Sequence, residues 1–143
     1  MQTHALRLQP YQDLKVALDT WASDQAIEAA CVLTCVGSLR RAVLRFADQD
    51  RATELAGKFE IVSLTGTLSQ YGSHYHLCLA DSQGRTVGGH LLAGCLIYTT
   101  AEIVLGVLPS LSFRRELDRA TGYKELVIVE SAGAPCARRS ARR

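Results

Sequence analysis

His74, His76 and His90 are the residues of this 143-residue chain whose types and spacing could do chemistry. His74 and His76 stand two apart in Ser73-His74-Tyr75-His76-Leu77-Cys78-Leu79-Ala80, a segment with strand character, so both project from one face. Asp81-Ser82-Gln83-Gly84 has turn composition, and a strand returning from Arg85 brings His90 back toward the pair. Three converging imidazoles form a transition-metal site with an open position. Neutral imidazole suits zinc, and it also suits nickel, copper and iron. The alternative is three polar side chains lining a groove or bonded to backbone. Cys78 shares the strand parity of His74 and His76, as a fourth ligand or as core. Glu102 is the acid of the apolar run Cys95–Leu108, where an unpaired carboxylate is costly. It needs a metal, a histidine or an arginine as partner, and beside a metal-activated water it would be the catalytic base. Gly88 and Gly89 precede His90 and are candidates for lining its site, through an unusual backbone conformation or as a plain bulge. Arg114 and Arg115 could hold an anionic ligand, or pair with Glu102 or Glu116. No serine–histidine–acid or reactive-cysteine arrangement is visible.

These side chains need a sheet to position them. His4–Leu8 alternates as a short strand that Pro10 ends. Leu14, Ala17, Leu18 and Trp21 form an amphipathic helical stripe, with Asp13 in its first turn and Trp21 as a core anchor. Ala30–Val36 and Arg41–Phe46 read as a hairpin turning at Gly37-Ser38. Asp48–Gly57 reads as a loop, and Phe59–Leu68 as a third long strand. Cys95–Leu108 is too continuously apolar to be half solvated, so it is expected to be a central strand, bulged near Thr99-Thr100. Phe113–Leu117 and Leu126–Val129 are further strands, the last closing the sheet. The sum is an α+β domain: a mostly antiparallel multi-stranded sheet with one or two packed helices.

The length suits one domain, residues 1–130, followed by a basic tail at 131–143 that composition marks as disordered. The net charge of +2 is uneven. Arg138, Arg139, Arg142 and Arg143 give the tail +4 with no acid, which leaves the body at −2. The body therefore has no overall electrostatic footprint for DNA. The tail arginines would give weak, nonspecific phosphate contact at most. Five cysteines, an odd number with no Cys-x-x-Cys, read as reduced thiols. With no long apolar run and no signal-peptide plan at the first residues, a cytoplasmic protein without membrane contact is expected.

Several stretches resemble the PPC (plants and prokaryotes conserved) domain. Gly57-Lys58-Phe59-Glu60-Ile61-Val62-Ser63-Leu64-Thr65-Gly66-Thr67 is similar to the family's Gly-Arg-Phe-Glu-Ile-Leu-Ser-Leu-Ser-Gly run. Asp81–Leu91 is similar to the segment that reaches Gly-Gly-His in prokaryotic members, and Thr100–Val104 and Thr121–Leu126 also fit. The likeness runs over residues 4–130 and is to stand-alone prokaryotic members, since the AT-hook core Gly-Arg-Pro of plant members is absent. It implies a homotrimer and a metal site at His74, His76 and His90. The expected role is a trimeric, metal-binding regulatory or DNA-associated module. The alternatives are a metal-dependent enzyme acting on a small substrate in an intersubunit cleft, and a non-catalytic ligand-binding scaffold.

Overall fold

The computed structural model describes residues 1–130. In chain order the elements are β1 (Gln2–Leu8), α1 (Leu14–Asp24), β2 (Ala30–Arg45), β3 (Thr53–Ser69), β4 (Gly72–Ala80), β5 (Thr86–Leu91), β6 (Leu96–Val107), β7 (Leu111–Leu117) and β8 (Lys124–Glu130). The first six strands form one antiparallel sheet in the order β1-β6-β2-β3-β4-β5. The end of β2 also pairs with β5, Leu44 with Leu91 and Arg45 with His90, so β2 to β5 close on themselves. β7 and β8 form a separate two-stranded sheet rather than closing the large one. The expected α+β architecture is present, with one helix among the described residues.

Amphipathic patterning sets the helix. Asp13 caps it by accepting a hydrogen bond from the Val16 amide at 3.1 Å. Leu14, Leu18 and Ala22 are its buried face, and half-buried Trp21 packs beside them. The core continues through Leu39, Leu44, Leu77, Leu91, Ile97 and Leu105, all fully buried. Each contributes about 1.5–3 kcal/mol of transfer free energy.

The hairpin expected at Gly37-Ser38 is not formed: β2 runs unbroken from Ala30 to Arg45. The expected bulge in β6 explains why. Gly37 pairs with Ala101 and Leu39 with Ile97, so β6 takes an extra pair of residues around Thr99. Gly37, at φ +148°, admits that bulge, since a Cβ there would lie 2.1 Å from the Thr100 carbonyl oxygen. The Ser38 and Thr99 hydroxyls, 2.7 Å apart, hydrogen-bond across it. Gly and Ser thus accommodate a neighbour's bulge rather than making a turn. The loop expected over Asp48–Gly57 is also shorter, because β3 begins at Thr53, where Thr53–Ala56 pairs with Arg41–Leu44.

Candidate metal centre

β4 sorts its side chains by parity. Tyr75, Leu77 and Leu79 enter the core, and the Tyr75 hydroxyl donates to Asp19 at 3.1 Å, which fixes the strand against α1. His74 and His76 consequently leave by the other face. The 81–84 turn returns the chain, with the Asp81 carboxylate accepting from the amides of Gln83 (2.8 Å) and Arg85 (3.0 Å). His90 then pairs with His76 across β4–β5 and with Arg45 across β5–β2.

The Gly88-Gly89 pair makes this placement possible by close approach. Neither residue has positive φ, so the unusual-backbone expectation does not hold. A Cβ on Gly89 would lie 2.8 Å from the Arg45 carbonyl oxygen, and one on Gly88 3.0 Å from that of Leu77. Only bare backbone lets β5 fit between β4 and the end of β2.

The ligand atoms of His74, His76 and His90 lie within 4.8 Å of one another. The Nε2 atoms of His74 and His76 are 3.2 Å apart, close to the roughly 3.3 Å between two nitrogens of one tetrahedral zinc ion. Burial, then the neighbouring His74, Arg45 and His76, push His90 down to about 4. Burial and His76 likewise lower His74. Both rings are neutral near pH 7, the form a metal takes. Nδ1 of His90 is buried without a hydrogen-bond partner among the described residues, which a protein interior rarely tolerates. These observations fit a divalent transition metal. Cys78 is not part of the cluster.

A cavity of about 390 Å³ opens beside the cluster. Arg45, His74 and His90 form its sheet side, and Arg115, Lys124 and Glu125 its wall on the β7–β8 hairpin, with Tyr123 next to them. The hairpin is pinned to the body: the Phe113 amide donates to the Glu28 carbonyl (2.8 Å), the Ser69 hydroxyl to the Phe113 carbonyl (2.8 Å), and Arg115 to Thr67 Oγ1 (2.8 Å).

Two expected site residues lie elsewhere. Arg114 stacks on the Tyr71 ring, 3.4 Å from its centroid, and stands 3.6 Å from the Glu28 carboxylate, so it ties the hairpin down instead of lining the cavity. Glu102 is exposed on β6, opposite Arg7 in the β1–β6 register but without a salt bridge to it, and lines a groove with Leu6, Val36 and Ile103. Within the chain it is not brought to the histidines, and being solvated it needs no buried partner. Gly88 and Gly89 do line a smaller concavity with His76 and His90. Arg45, Lys124 and Glu125 were not legible as site residues, since their place depends on strand pairings distant in sequence. Arg138, Arg139, Arg142 and Arg143 lie outside the described residues.

Residues 1–109 match the Plants and Prokaryotes Conserved (PCC) domain. The chain belongs to this family. It is 51% identical over 136 residues, 95% of its length, to a Synechococcus protein named bifunctional protein GlmU, and it spans 22% of that relative. A hypothetical protein from Salmonella cholerae-suis has a solved structure with 41% identity and a TM-score of 0.88, covering 90% of this chain and 94% of that one. The metal-containing protein AF0104 from Archaeoglobus fulgidus is 27% identical with a TM-score of 0.76, covering 89% and 94%. No helix among the described residues is long and apolar enough to cross a membrane.

Proposed function

We propose that this PCC-domain protein is a metal-dependent regulatory module. A divalent transition ion, zinc foremost, is held by His74, His76 and His90, and small-molecule binding in the adjoining cavity is the regulatory input. The observation that carries this reading is the convergence of three imidazoles within 4.8 Å. The metal-containing description of the Archaeoglobus relative agrees with it. Such an ion keeps an open position for a further ligand. Within one subunit Glu102, the expected base of a hydrolytic reaction, does not line the cavity beside the histidines, so the reading rests on binding rather than on catalysis.

The test is elemental analysis of protein purified without chelator. Close to one equivalent of transition metal per chain is expected, and His76→Ala should lose most of it. Wild-type protein free of metal after gentle purification and after zinc reconstitution would end the proposal.

A further inference from the structure

The cavity beside the histidines carries more positive charge than its own residues neutralise. Arg45, Arg115 and Lys124 line it against one carboxylate, Glu125, which also accepts a hydrogen bond from the Thr121 hydroxyl at 3.0 Å. None of the three cations forms a salt bridge among the described residues. Arg45 and Arg115 are half-buried, so their charges are only partly compensated by water. Arg115 makes one hydrogen bond to Thr67, which leaves further guanidinium N–H groups for a ligand. The side chains alone leave an excess of two positive charges and a divalent ion on the histidines adds to it, so the complementary ligand carries at least two negative charges. At about 390 Å³ the space suits a small molecule rather than a polymer.

We propose that this cavity binds a small dianionic oxyanion, a dicarboxylate or a phosphate ester, with its oxygens on Arg45, Arg115 and Lys124. Planar guanidinium groups bind carboxylate and phosphate through paired N–H donors, and lysine adds a point charge. This site deepens the metal reading and rests on it for one contact, a ligand oxygen reaching the open position of the ion on His74, His76 and His90.

The experiment is isothermal titration of the full-length, zinc-reconstituted protein with malonate, inorganic phosphate and neutral malonamide, with zinc content measured on the same samples. At least one anion should bind and malonamide should not. The preferred anion distinguishes carboxylate from phosphate recognition. Arg45→Gln and Lys124→Gln should each weaken binding about tenfold with zinc content unchanged. His76→Ala, outside the cavity lining, should weaken it through loss of the ion. Failure of both anions to bind at millimolar concentration to protein carrying a full equivalent of zinc would overturn the site while leaving the metal reading intact. So would binding indifferent to both cation substitutions. If the protein holds no zinc, the metal reading falls and the titration still decides the cavity: anion binding lost in the Arg45→Gln, Lys124→Gln double variant upholds the oxyanion site, and no binding ends it.

Discussion

At the scale of single residues, His90 concentrates the physics of the site. Its folded-state pKa of about 4 lies below the ordinary value of 6.5. The unfolded chain therefore binds more protons between those values, and stability falls as pH drops from 6.5 toward 4. Metal-free protein should show a falling Tm over that window, with a shallower fall in His90→Asn; equal slopes would contradict the assignment. Gly89→Ala should cost about 1–3 kcal/mol in denaturant titration, because its Cβ would enter the Arg45 carbonyl and push β5 outward. It should lower metal affinity as well, since His90 is the next residue. The cysteines divide similarly. Burial holds the Cys35 thiol at about 12 and the Cys95 thiol at about 11, so at pH 8 both should resist alkylation until the protein unfolds. Mass spectrometry of the labelled peptides checks this. The histidine set was legible because i, i+2 parity and one short turn place all three side chains. Arg115 was less so, since its wall position depends on how the β7–β8 hairpin docks.

At the scale of elements, local pattern located most strands and the helix, including the bulge in β6. It failed where a residue's task lay in a neighbouring strand. Gly37-Ser38 has turn composition, yet the pair sits mid-strand because the β6 bulge needs backbone with no side chain opposite it. Gly37→Val is expected to destabilise the protein by more than about 2 kcal/mol, as both its φ and the Thr100 carbonyl oppose a side chain. A true turn would tolerate substitution far better, so chemical denaturation separates the two descriptions. The expectation that Leu126–Val129 closes the large sheet failed for a related reason. An apolar run specifies a strand but not which strand it pairs with: here β7 is the partner, and Ile128 and Val129 stay exposed.

At the scale of the molecule, exposed Leu33, Val36 and Val62 leave apolar surface on the large sheet. We expect symmetric self-association, and the family resemblance implies three copies. Light scattering should give about three times 15.6 kDa, and a stable monomer at micromolar concentration would refute the trimer. DNA contact, if it is to come from charge, must come from the four tail arginines, because residues 1–130 carry −2. A chain ending at Glu130 should keep its oligomeric state and lose most of a weak, salt-sensitive DNA affinity in fluorescence anisotropy. Tight A/T-selective binding by the shortened chain would instead make the folded body a sequence reader. The strand order also bears on synthesis. β6 lies between β1 and β2 but leaves the ribosome after both, and after β3, β4 and β5. Until it arrives, β1 has no partner and one edge of β2 stands open to other nascent chains. That interval of unprotected edges is an aggregation hazard, and slowing translation just before Leu96 should increase aggregation without changing the stability of the finished protein.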